Sequence, residues 1–220
     1  MIPVITIDGP TASGKGTVAT RVAQHLGFHY LDSGALYRLT AYAALKVGAD
    51  LEDEVQVTEI AKNLEPIFKD GKIFLDNEDV TLKIRQENVG IAASKVAILP
   101  QVRLQLVQLQ KNARKAPGLV ADGRDMGGYI FPDATLKIFL TASAQARAKR
   151  RFNQLKEKGI VANITTLTQD LQERDRRDMN RAVCPLAPAE GAKILDSSDL
   201  TIQETVQAVL EWYAQTGQKL

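Results

Sequence analysis

Hydrophobic positions along the chain fall into two alternating rhythms. Short, dense apolar runs stand at 3–7, 28–32 (FHYLD), 119–123 (LVADG), 137–142 (KIFLTA) and 193–198 (KILDSS), each followed by a turn or a helix start. Between them, apolar residues recur at helical spacing: after the first run come Val18, Val22 and Leu26, and the segment closes at Gly27. Compact strands alternating with helices predict a parallel sheet covered on both faces. Further helix starts are marked by Ser33 before GALYRLTAYAALKVG and by Ser143 before AQARAKRRFNQLKEKG. Capping-box spacings mark two more, Thr166 to Gln169 and Thr201 to Glu204.

Between 50 and 100 the rhythm breaks. There EPIFKDGKIFLDNEDVT sets an Asp70-Gly71 turn between two β-prone runs, the pattern of an antiparallel hairpin carried on an insertion. Pro117-Gly118 reads as the loop that returns the chain to the main sheet.

The turn after the first strand carries chemistry. GPTASGKGT, from Gly9 to Thr17, nearly matches G-x-x-x-x-G-K-[ST], with Gly16 at the hydroxyl position and the hydroxyl moved on to Thr17. Such a turn aims backbone N–H groups of Gly9, Pro10's neighbours Thr11, Ala12 and Ser13, Gly14, Lys15 and Gly16 at an anion, at the positive end of the following helix. Lys15 adds a point charge for the outer phosphates of a nucleoside triphosphate. Thr17 can reach a phosphate oxygen or a magnesium water. Asp122 ends an apolar strand at its carboxyl edge, where ligands of such sheets bind, and is placed to orient a magnesium water.

Length and composition narrow the picture without directing it. The 220 residues suit one domain with an inserted lobe, and 28 Lys+Arg against 26 Asp+Glu leave a net charge of +2, no global reason for a polyanion partner. Cys184 is the single cysteine and cannot pair within the chain, which fits a reducing, cytoplasmic setting. No basic leader or long apolar run predicts secretion or membrane insertion. Neither His25 nor His29 is placed for catalysis by its position, and Cys184 has no neighbouring histidine to activate it. Charge does gather locally: from 147 to 181 ten basic residues face five acidic ones. Arg147 and Lys149 read as surface residues within that run.

G-x-x-x-x-G-K-G-T resembles the loop of nucleoside monophosphate kinases. With LDSGALYR, SKVAILPQVR, ADGRDMG and ERDRRDMNRAVCPL, nearly the whole chain resembles the bacterial cytidylate kinases. That resemblance implies an α/β P-loop nucleoside monophosphate kinase fold: a parallel sheet flanked by helices, an inserted monophosphate-binding lobe and a helical lid. The single domain, 1–220, then divides into a core of 1–33, 101–146 and 182–220, an insertion of about 34–100 and a lid of about 147–181. The implied reaction moves the γ-phosphate of ATP, with Mg2+, to CMP or dCMP. The acceptor phosphate is already a good nucleophile, so no general base is sought. By resemblance, Ser33, Arg38, Arg124 and Arg181 grip the acceptor phosphate, while Asp125, Ser94 and Arg103 form the base pocket. Asp178 and Arg174 lie near its ribose. Arg174, Arg177 and Arg181 are expected to face the site and Arg150 to lie against the donor. The catalytic set is then Lys15, Arg124, Arg177 and Arg181.

Arginines suit this work because two phosphorylated groups must approach one another and guanidinium grips phosphate oxygens bidentately. A carboxylate at the base edge accepts from cytosine's amino group and repels uracil's oxygen. Rival readings predict other features. A GTP switch needs N-K-x-D, which is absent; a metabolite kinase leaves the arginines unexplained; an RNA-binding module needs aromatics among them, and the lid has only Phe152. AMP or UMP as acceptor remains the nearest alternative. A monomer is expected, without nucleic-acid or membrane partners.

Overall fold

The computed structural model describes residues 1–69, 71–157 and 159–217. They form two compact units, Met1–Leu31 with Ala113–Leu220, and Asp32–Asn112.

The first unit is built on a five-stranded sheet: β1 (Val4–Asp8), β2 (His29–Asp32), β6 (Leu119–Gly123), β7 (Leu136–Thr141) and β8 (Lys193–Asp196), ordered β2-β6-β1-β7-β8. β1 pairs in parallel with β6 on one side and β7 on the other, and β7 with β8. All five predicted apolar runs are strands of this sheet. Every residue of β1 and β6 is buried, which is why both read as continuous rather than alternating apolar runs. One face is covered by α1 (Lys15–Leu26) and α8 (Ile202–Ala214): Val18 and Val22 from the first, Val209 and Tyr213 from the second, meet Ile5, Ile7, Ile138 and Leu140. Each such fully buried side chain stabilises the fold by about 2 kcal/mol relative to exposure. Phe28 closes the edge against Tyr213, ring centroids 5.9 Å apart and planes at 85°.

Further along the same unit, α6 (Ala144–Glu157) packs on α7 (Ile164–Met179). Ser143 does start α6, its Oγ accepting from Ala146 N at 3.1 Å. Thr166 does not start α7. Asn163 does, because its carboxamide oxygen accepts from Thr165 N at 2.8 Å and Thr166 N at 3.1 Å, which places Thr166 already inside the first turn. At α8 the capping box of Thr201 and Glu204 forms as predicted.

The second unit is helical with a small sheet. α2 (Ser33–Lys46) packs against α3 (Glu54–Lys62) and α4 (Glu87–Val96), and α3 against α5 (Pro100–Asn112). Its cap is Asp32 rather than Ser33: the Asp32 carboxylate accepts from Ala35 N at 3.0 Å, leaving the Ser33 hydroxyl for another partner. The hairpin is present, β3 (Ile67–Lys69) pairing antiparallel with β4 (Lys72–Leu75), and a two-residue strand β5 (Glu78–Asp79) extends it to three. Asp70 of the predicted turn lies outside the described residues, as does Lys158 of the basic run.

Candidate active site

The phosphate loop joins β1 to α1, and its shape is forced by packing. Gly9 has φ +154°, and a Cβ there would stand 2.0 Å from the Leu140 carbonyl oxygen, so only glycine lets the chain leave β1 alongside β7. Gly14 begins α1 with no side-chain cap. The first amides of that helix are therefore uncommitted to a side chain and available to an anion. Ser13 Oγ is buried with no hydrogen-bond partner among the described residues, a further polar group that a bound anion would satisfy. Lys15, buried, folds its Nζ onto the Pro10 carbonyl at 3.1 Å.

Side chains from distant segments converge on this loop. Arg124, in the turn after β6, donates from Nη2 to Thr11 Oγ1 at 2.7 Å and from Nε to Asp178 Oδ2 at 2.9 Å. Arg181 donates to the other Asp178 oxygen. Arg174 adds its charge to the same carboxylate. Burial alone would raise the Asp178 carboxyl, but the charges of Arg124 and Arg181 and the Arg124 hydrogen bond outweigh it and hold Asp178 below the ordinary aspartate value. Thr11, Arg124, Asp178 and Arg181 thus form one connected chain of hydrogen bonds. Arg177 stands apart from it, exposed on α7 with Nε 3.9 Å from Glu173.

Arg150 reaches the loop from α6, donating to Ser13 O at 3.0 Å, to Ser197 Oγ at 3.2 Å and to the Ser197 carbonyl. Arg147 corrects a sequence expectation. It is no surface residue but is 5 % exposed, donating to Thr11 O at 3.1 Å and Ala142 O at 2.9 Å and pairing with Asp175 at 2.6 Å. Its partner comes from α7, and nothing in the local pattern of α6 announces that pairing. Lys149 is exposed.

Asp122, 5 % exposed, accepts from the Tyr30 hydroxyl at 2.9 Å. A Cβ built on Gly16 would lie 3.8 Å from Asp122 Oδ2, so this carboxylate stands beside the residue that follows Lys15. One hard oxygen donor next to a triphosphate loop fits magnesium held mainly by phosphates and water. Among the described residues no group of three or more His, Cys, Asp or Glu could hold a metal by itself.

The sequence reading missed Asp8. This last residue of β1 is 3 % exposed, and its carboxylate accepts from Met126 N at 2.9 Å and Gly127 N at 2.8 Å, just beyond Arg124 and Asp125. Burial pushes its carboxyl up to about 6, opposed by the two N–H bonds, with the Asp125 carboxylate raising it and Lys15 lowering it. Only its place at the carboxyl end of a strand, one residue before the loop, hints at a role in the sequence.

In the second unit each named side chain has a local partner. Ser33 Oγ donates to Gln110 Oε1 at 2.7 Å, and Ser94 Oγ to Gly90 O at 3.1 Å. Arg38 donates to Ile84 O at 2.8 Å. Arg103, 4 % exposed, donates to Ala97 O at 3.2 Å and lies over the Tyr37 ring, 5.7 Å from its centroid.

A phosphate loop on the central strand of a parallel sheet, with helices on its flank, defines the class of α/β P-loop proteins. In keeping with that, a gluconokinase from Sinorhizobium meliloti 1021 shares the fold at TM-score 0.50 and 16% identity, over 97% of this chain and 93% of its own. The chain belongs to the cytidylate kinase family, whose model matches residues 5–215. It is 58% identical over 212 residues to the cytidylate kinase of Polynucleobacter asymbioticus, covering 96% of each chain. It is 56% identical over 214 residues to that of Cupriavidus pinatubonensis, covering 97% of each.

Proposed function

We propose that this protein is a phosphotransferase that moves the γ-phosphate of ATP to CMP or dCMP, releasing ADP and CDP or dCDP. Membership of the cytidylate kinase family supports the reaction. One observation carries the assignment of residues: Arg124 spans from Thr11 of the phosphate loop to Asp178, with Arg181 on the same carboxylate. A cationic wall beside a triphosphate loop is what the meeting of two phosphorylated nucleotides requires.

The reaction needs one displacement. An oxygen of the acceptor phosphate attacks the γ-phosphorus, the bond to the bridging oxygen of ATP breaks, and that oxygen leaves on ADP. The transition state is loose, with charge spread over the equatorial oxygens, so positioning and charge stabilisation do most of the work. In this reading the loop 9–16, through the N–H groups of its residues other than Pro10, and the Lys15 ammonium hold the triphosphate, and Arg150 braces the donor side by tying Ser13 to Ser197. Arg124 and Arg181 turn from Asp178 and Thr11 to the phosphates as these arrive. Arg177 joins them only if α7 moves on substrate binding. By the family resemblance, Ser33, Arg38, Ser94 and Arg103 bind the acceptor, and Asp125 reads the cytosine amino group. Arg174 and Asp178 serve the acceptor ribose. Magnesium, carried in with ATP, would be held through water by Asp122 and Thr17, and it supplies charge neutralisation on the phosphates. Closure excludes water that would otherwise take the phosphoryl group. Among the described residues no helix is long and apolar enough to cross a membrane.

The test is an ADP-release assay with Mg-ATP and CMP, dCMP, UMP and AMP in turn. CMP and dCMP are expected to exceed the other two in kcat/KM by about tenfold to a hundredfold. Equal rates on UMP would remove the role given to Asp125.

A further inference from the structure

Asp8 does not belong to the loop that binds phosphate, nor does it touch an arginine, yet it is among the most deeply buried carboxylates of the first unit. Its two oxygens are spent on consecutive peptide N–H groups, Met126 N at 2.9 Å and Gly127 N at 2.8 Å, which lie 118 and 119 residues away in sequence. Those two amides open the π-helical turn Met126–Ile130 that directly follows Arg124 and Asp125. The turn must come very close to β1 for this to happen. A Cβ on Gly127 would stand 2.7 Å from Thr6 Oγ1 and 3.3 Å from Lys137 Cγ, so the absence of a side chain is what admits the backbone. On the other side of Asp8 the chain enters Gly9 and the phosphate loop.

We propose that Asp8 is a positioning residue for base discrimination: its carboxylate clamps the Met126 and Gly127 amides and so fixes the turn that presents Arg124 and Asp125. This rests on the reading of Asp125 as the carboxylate that meets the cytosine amino group. The physical reason is geometric. A hydrogen bond to a base edge is selective only while its acceptor is held within a fraction of an ångström, and a turn tied at one end to a sheet strand is held in that way. Arg124 is held a second time, by Thr11 and Asp178, whereas the clamp sits next to Asp125 in sequence. The second hold on Arg124 limits what loss of the clamp does to phosphate binding, so base choice is where that loss is read.

The clamp is sensitive to a proton. The carboxyl of Asp8 is pushed up by burial to about 6. The charged groups that act on it are Asp125 from the turn and Lys15 from α1, while its strand neighbours Gly123 and Phe139 carry no charge. Protonation turns one acceptor oxygen into an O–H facing an amide N–H, which weakens that bond.

The experiment measures kcat/KM for CMP and for UMP between about pH 5.5 and about pH 7.5 and follows their ratio. The two acceptors carry the same phosphate group, so its ionisation cancels, and so does any loss of folded enzyme. In the wild-type protein the ratio is expected to fall about tenfold as the pH drops through the Asp8 transition. In Asp8→Asn, which offers one acceptor oxygen and turns an NH2 toward the other amide, the ratio is expected to be low and flat across the range. Asp125→Asn is measured beside it. If that variant lowers the ratio and Asp8→Asn leaves it at the wild-type value, the clamp is overturned while the base reading stands. If Asp125→Asn keeps the ratio, the base reading falls and the clamp with it. Should Asp8→Asn fail to fold, Gly127→Ala, which forces the turn away from Thr6, takes its place, and a wild-type ratio in that variant overturns the proposal.

Discussion

The end of β1 and the end of α7 each bury an aspartate, and the two behave oppositely. Asp8 is 3 % exposed and its carboxyl rises to about 6, whereas Asp178, 2 % exposed, is lowered. Burial is the same; what surrounds it is not. Asp8 is met by two neutral peptide dipoles and has Asp125 nearby, so desolvation prevails. Asp178 is met by the guanidinium charges of Arg124, Arg181 and Arg174, which prevail over desolvation. The difference bears on function. Peptide N–H groups cannot leave Asp8 without moving the backbone, so that carboxylate serves as a fixture. Arginine side chains can rotate from Asp178 to a phosphate, so in the proposed reaction that carboxylate is a rest position for charge that the substrates would later use.

The largest effect expected from this contrast is on turnover. Arg181→Ala removes a movable charge, and kcat with CMP is expected to fall about a hundredfold, the scale of losing one donor to developing phosphate charge. Asp178 keeps Arg124 as partner, so the urea midpoint is expected to shift far less than for a broken buried pair. A variant that unfolds much earlier yet turns over normally would make Arg181 a structural residue and erase the contrast.

Next in size is the effect of pH on stability, where the two carboxylates have opposite signs. The folded protein holds a proton on Asp8 up to about 6, while the unfolded chain releases it near pH 4, so stability drops by about 3 kcal/mol as the pH rises between those values. For Asp178 the folded value lies below the unfolded one. Its contribution is complete above about pH 4 and is lost as the pH falls through the folded value. Urea unfolding of the wild-type protein, Asp8→Asn and Asp178→Asn from about pH 3 to about pH 8 tests both. Asp8→Asn is expected to flatten the profile between about pH 4 and about pH 6, Asp178→Asn the limb below. An unchanged slope in Asp8→Asn would mean that burial does not govern that carboxyl.

How far these features were legible in the sequence follows from how local their causes are. The five strands of the large sheet were readable because a strand buried on both faces is a compact apolar run, and the phosphate loop because its strand, glycines, lysine and helix are consecutive. The helices of the second unit, α3 and α4, and the charged strand β5 lack so clear a period, and only the hairpin between them was foreseen. Arg147 reads as a surface residue because it stands in a basic run, while its partner Asp175 stands on α7. Asp8 carries no local signal because its meaning lies in two amides more than a hundred positions away. Arg38, Arg103 and Asp125 were named through family resemblance alone, since charge on a helix or in a turn carries no signature of its own.

The smallest expected effect serves to isolate the ends of α7 from one another. Asn163 caps the start of that helix through Thr165 N and Thr166 N, and Asp178 lies at its other end, about 22 Å away at 1.5 Å per residue. Asn163→Ala leaves two amides without their acceptor and is expected to cost about 1 kcal/mol in urea unfolding. The arginines around Asp178 come from the turn after β6 and from the last two turns of α7 onward, so their geometry does not depend on the cap. Turnover with CMP should therefore stay within about twofold of wild type, since fraying is confined to the first turn. A loss of turnover as large as that of Arg181→Ala would show that order along the whole helix, rather than the charges gathered at its end, limits the reaction.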